Sequence, residues 1–162
     1  MHAGPVIVGF DGTPAAEQAV REAAALLGAR AAVVVVVWEA GRSFELATLP
    51  EQALDAPATL DIRGGFAGEE AACEGAQRMA EHGAALAKQA GLQADALAVA
   101  DDATVAETLV RLAREIDAPA VVVGGHRHRG LGKLVHGGTL DGLLREAPCP
   151  VVVCGGTRPG PD

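Results

Sequence analysis

The chemistry in this chain gathers in one stretch: Gly124-Gly125-His126-Arg127-His128-Arg129-Gly130-Leu131-Gly132-Lys133, with His136 and Gly137-Gly138-Thr139 close behind. Those first ten residues hold four Gly, two His, two Arg and one Lys, in a chain whose net charge is −8. The local positive charge runs against the rest of the sequence. Glycines expose backbone N–H groups, and a helix is predicted to open near Thr139. Exposed amides and helix N-termini attract anions, so this stretch predicts a site for phosphate. A second polar turn, Asp11-Gly12-Thr13, follows the first apolar run.

Two common phosphate motifs fail here. A Walker A loop ends in Gly-Lys-Ser/Thr, with another Gly five residues before the last one. Gly132-Lys133 has Arg127 at that earlier position and Leu134 where the hydroxyl belongs. A dinucleotide fingerprint needs G-x-G-x-x-G after the first strand, and Gly9-Phe10-Asp11-Gly12 does not supply it. No nucleophile–base pair stands out either. The only serine, Ser43, has no histidine near it in sequence. No catalytic base can be named, so the most this pattern supports is slow hydrolysis of a bound nucleotide through a metal on its phosphates.

These residues need a scaffold, and the periodicity provides one. Val6 to Phe10 is short and β-branched. Thr13 caps a helix that starts with Pro14, carries apolar positions at helical spacing, and stops at Gly28. Val33 to Val37 is five valines in a row, apolar on both faces, as in a sheet covered on both sides. The stretch 41–68 reads as a long surface excursion with one helical turn near 51–54. A helix is predicted over 69–90, then a less buried strand over 92–98. Thr104-Val105-Ala106-Glu107 matches a capping box and opens a helix to about Ile116. A strand over 120–123, a helix over 140–146, and a strand over 151–154 complete the alternation. The fold class is α/β: an open, doubly wound, mostly parallel five-stranded sheet with helices on both faces. Residues 1–157 form a single domain and 158–162 a loose tail. In such sheets ligands sit outside the carboxyl ends of the strands, where strand order reverses. The turn after strand 1 and the loop after strand 4 are the two that flank this point.

Composition narrows the function. Hydrophobic residues make up 49% and charged residues 21%, enough for a packed core. An acidic chain with one Trp, three Phe and no Tyr offers neither a footprint for duplex nucleic acid nor a stacking platform for single strands. The longest apolar run, Ala31 to Trp38, is strand length, so no membrane span is expected. Three cysteines and no visible secretory signal fit a reducing cytoplasm. Cys149 and Cys154 are read as small hydrophobes on opposite faces, unable to pair.

The loop and its flanks resemble the universal stress protein family, which carries G-x2-G-x9-G-[ST] at this position. Here the register is Gly125-x2-His128-x9-Gly138-Thr139, with His128 in place of the second glycine. Val121-Val122-Val123-Gly124-Gly125 before it and Ala147-Pro148-Cys149-Pro150-Val151-Val152-Val153 after it also match. So does the opening, Val6-Ile7-Val8-Gly9-Phe10-Asp11-Gly12-Thr13. The resemblance covers nearly the whole chain and implies an adenine nucleotide alpha-hydrolase-like architecture. It implies a stress-response module that binds ATP, with Mg, in the cleft between strands 1 and 4. Asp11 would lie beside the nucleotide, with Gly12 and Thr13 in the same turn, and a backbone group of Val37 would contact adenine. Gly125 would let the backbone approach the phosphates and ribose, His126, Arg127 and His128 would continue that loop, and Gly138 and Thr139 would hold phosphate. The resemblance also implies a homodimer through the C-terminal edge strand, with or without nucleotide.

Several residues carry a plainer reading as well. Asp11 could cap the helix or close an Asx turn. Arg127, Arg129 and Lys133 could form an ordinary solvated edge. His126, His128 and His136 lack a clear third ligand, so no metal site is expected. Trp38 reads as packing rather than as a stacking partner for adenine.

Overall fold

The computed structural model describes residues 3–40, 62–101, 103–125 and 138–155. Five strands form one sheet: β1 (Val6–Gly9), β2 (Ala31–Trp38), β3 (Gln93–Ala100), β4 (Val121–Gly125) and β5 (Val151–Gly155). Four helices alternate with them: α1 (Pro14–Leu27), α2 (Ile62–Gln89), α3 (Val105–Glu115) and α4 (Thr139–Glu146). The strand order is β3-β2-β1-β4-β5, and every pairing is parallel. The chain runs outward from β1 in one direction and then restarts on its other side. The order therefore reverses between β1 and β4, as the alternation predicts.

The valine runs explain the layers. Successive side chains of a strand point to opposite faces, so a strand buried on both sides must be apolar throughout. Val6, Val8, Val34, Val36 and Val122 enter one core together with α1 and α2. Ile7, Val33, Val35, Val121 and Val123 enter the other with α3 and α4. The two cysteines near the C-terminus also part in this way. Cys154 is buried in the first core and Cys149 packs against the second. Burial, with the nearby Glu22 carboxylate adding to it, pushes the Cys154 thiol up to about 11, so it stays neutral. β3 is the less buried strand, as expected, because it is an edge; only Ala94 along it is fully buried.

The helix ends follow their sequence signals. Thr13 Oγ1 accepts the Ala16 N–H at 3.2 Å, and Pro14 takes the first helical position. Gly28, at φ 64°, ends α1. Thr104 Oγ1 accepts the Glu107 N–H at 3.1 Å, which is one half of the capping box.

Among the boundaries that differ from the sequence reading, two involve glycines. α2 begins at Ile62, seven residues before the expected start and inside the stretch read as an excursion. Gly64, Gly65 and Gly68 look like loop residues. Each costs a helix about 1 kcal/mol against Ala, which weakens a helix without stopping one whose later turns are anchored. The anchors are Ala76, Ala80, Ala84 and Ala87, all buried against the sheet. The rest of the excursion, including the turn read near 51–54, lies outside the described residues. β4, in turn, runs through Gly124 and Gly125 because β5 continues beside it, pairing Gly124 with Cys154 and Gly125 with Gly155.

Candidate functional site

A cleft of about 440 Å³ opens at the carboxyl ends of β1 and β4. Its sides come from every element that meets there. Val35 and Val37 of β2, Val105 and Leu109 of α3, Val123 of β4 and Leu140 of α4 give it an aliphatic lining. Asp11, Thr13 and Thr139 supply its polar side chains, and Gly9, Gly124, Gly125 and Gly138 its bare backbone. Binding clefts commonly combine a mostly apolar wall with a few convergent polar groups.

Asp11 does what its plainer reading requires. Its Oδ1 accepts the Thr13 N–H at 3.0 Å and the Thr13 hydroxyl at 2.6 Å, which closes an Asx turn. Thr13 then caps α1, so one short chain of bonds fixes the turn at the cleft mouth. Asp11 is exposed and lines the cleft, so the turn and a ligand contact are compatible. Gly12 does not line the cleft. It has φ 75°, and a Cβ there would point at the Met79 side chain on α2 at 3.4 Å, away from the cleft. Its glycine serves the left-handed turn.

Gly124 is required by contact. A Cβ built on it would lie 2.8 Å from the backbone carbon and oxygen of Ala15. The first turn of α1 presses directly onto β4 there, and this holds the two sides of the cleft together. Gly125 lines the cleft one residue further on.

The phosphate end, as read from the sequence, is the start of α4. Gly138 is its N-cap and gives no side-chain cap, unlike Thr13 and Thr104. The first intrahelical bond runs from the Gly142 N–H to the Gly138 carbonyl at 3.2 Å. The amides of Thr139, Leu140 and Asp141 precede it and have no partner within the helix. Thr139 is exposed beside them. A smaller hollow of about 230 Å³ lies behind this end, between the first turns of α3 and α4.

The structure thus brings Asp11, Thr13, Val37, Gly125, Gly138 and Thr139 to one cleft. His126, Arg127 and His128 lie outside the described residues, as do Arg129, Lys133 and His136. Among the described residues lining the cleft, Asp11 is the one charged side chain. Trp38 is not in the lining; it packs against the core under α1 and α2. Sequence reasoning missed the aliphatic wall. Val105 and Leu109 stand on the helical stripe that marks the core face of α3, and that stripe runs on into the cleft. The signal was present but indistinguishable from ordinary packing.

The same architecture occurs in solved structures. A universal stress protein family member from Burkholderia pseudomallei is 26% identical, with a TM-score of 0.62, covering 93% of this chain and 94% of that one. The Archaeoglobus fulgidus universal stress protein in complex with dAMP is 20% identical, with a TM-score of 0.55 and coverage of 94% and 98%. An Arabidopsis thaliana family protein with AMP bound is 14% identical, with a TM-score of 0.56 and coverage of 94% and 91%. No curated protein matches the chain. The Universal stress protein family itself matches over residues 3–155, from before β1 to the end of β5. With the parallel order β3-β2-β1-β4-β5 and the cleft at its reversal point, that match identifies the chain as a member of the universal stress protein family.

Proposed function

We propose that this protein binds an adenine nucleotide in the cleft between β1 and β4 and acts as a stress-response regulatory module. The observation that carries the reading is the cleft's mixed lining. Aliphatic Val35, Val37, Val105 and Leu109 line it together with the uncapped N-terminus of α4 at Gly138 and Thr139. The aliphatic side chains suit a base and ribose, and the amides suit phosphate. The dAMP and AMP held by two similar structures support the choice of adenine nucleotides. ATP is the form proposed here. Asp11, the one described carboxylate in the lining, is the residue that would share a magnesium ion with the phosphates. Binding that favours one state of the surrounding loops over another would shift their populations and so alter a partner interaction.

Calorimetric titration with ATP and magnesium tests this. Saturable binding is the expected result, and Thr139→Ala should weaken it about tenfold, the effect of one lost hydrogen bond to a charged group. The absence of any binding heat at millimolar ATP would sink the proposal.

A second reading rests on the sheet edge. β5 is an outer strand, and Val153 on it is 41% exposed. An apolar edge with open backbone groups invites a partner strand. A homodimer through β5 is expected under either reading, and sedimentation equilibrium showing only monomer at high micromolar concentration would exclude it.

A further inference from the structure

α4 is held against α3 by a contact with no room in it. A Cβ built on Gly142 would stand 2.6 Å from the Cβ of Ala106, nearer than real Cβ atoms approach one another. Ala106 Cβ is also the only described atom outside α4 within 4 Å of that position. The two helices therefore meet at this point backbone to methyl.

The two partners are not equally fixed. α3 buries Ala106, Thr108, Leu109, Val110, Leu112 and Ala113, whereas α4 buries Leu143 alone. An atom added at the contact would displace α4, the less anchored element. The displacement would be felt one turn away, because the Gly142 N–H makes the first helical bond onto Gly138. Gly138 and Thr139 line the main cleft, while Gly142 itself does not.

From this we infer that Gly142 is a positioning residue. By letting α4 rest on Ala106, it sets how deeply the α4 N-terminal amides reach into the cleft, and so sets affinity for the phosphate end of the ligand without touching the base end. This inference rests on the nucleotide-binding reading above. It concerns a residue outside the cleft and acts through the helix rather than through contact.

The test is a swap. Gly142→Ala, Ala106→Gly and the double variant are titrated with magnesium ATP and with adenosine, and the thermal unfolding midpoint of each is followed. Gly142→Ala should raise the ATP dissociation constant about tenfold while leaving adenosine within about twofold, since it disturbs hydrogen bonds to charged oxygens only. Alanine favours a helix over glycine, so this loss cannot come from weakening α4 itself. The double variant removes the one methyl in the way and should return ATP affinity to within about threefold of the parent. Unchanged ATP affinity in Gly142→Ala would overturn the inference. So would an equal loss for adenosine, or no recovery in the double variant. If the parent protein binds neither compound, the nucleotide reading fails and takes this inference with it. If the parent binds and only the swap behaves otherwise, the inference alone fails.

Discussion

Leu109→Ala should destabilise the protein by about 3 kcal/mol, the middle of the range for truncating a buried leucine. Leu109 is 2% exposed and sits in the core beneath α3 and α4. Its Cδ1 lies over Gly9, 3.7 Å from where a Cβ on that residue would be. The substitution removes packing from that core and opens a void that joins the cleft. For a chain of this size the loss corresponds to a fall of roughly 6–12 °C in the unfolding midpoint. Thermal and denaturant unfolding check it, with the denaturant midpoint falling and the slope unchanged in a two-state transition. A change below about 1 kcal/mol would mean the site collapses around the missing atoms, contrary to a rigid cleft wall.

Gly124→Ala is expected to lower stability by about 2 kcal/mol, within the range for overpacking. The sign is the informative part. Alanine in place of glycine within an unconstrained strand stabilises by about 0.5–1 kcal/mol. Here the new Cβ meets the backbone carbon and oxygen of Ala15 at 2.8 Å, and backbone cannot rotate aside as a side chain can. β4 and α1 must separate. Because Ala16 and Gly124 both line the cleft, nucleotide affinity should fall with stability. Gly125→Ala is the useful comparison: its Cβ would meet the Cγ1 of Val153, a side-chain atom, at 2.9 Å. Valine on an edge strand has somewhere to go, so that variant should lose less. Equal stability of Gly124→Ala and the parent, by chemical unfolding, would show that α1 does not rest on β4 as described.

Much of this architecture was legible because the sheet is buried on both faces. A five-valine run has few other homes, and Thr13-Pro14 and Thr104-x-x-Glu107 mark helix starts by hydrogen-bonding chemistry that tertiary context did not override. The start of α2 was not legible, since Gly64, Gly65 and Gly68 carry loop propensity into a helix fixed further along by buried alanines. Within the site, Asp11, Thr13, Val37, Gly125, Gly138 and Thr139, named through the family motif, line one cleft. Gly12 is not in that lining, and a glycine that supplies a turn and one that faces a ligand look alike in sequence. The wall from Val105 and Leu109 stayed hidden for a similar reason: one apolar stripe serves both core and cleft. Gly142 gave no signal at all, as its significance lies in how near Ala106 comes from another helix.

The central place of β1 has a consequence for biosynthesis. Ile7 and Val8 pair with Val33 and Val34 on one side, but on the other they await Val121 and Val122. A ribosome adding roughly 5–20 residues per second releases β4 on the order of ten seconds after β1. Throughout that interval the nascent chain holds its central strand with one flank open, which is the exposure that strand-to-strand aggregation exploits. Sheet closure is thus deferred until translation is nearly over, and newly made chains are the population most in need of a chaperone.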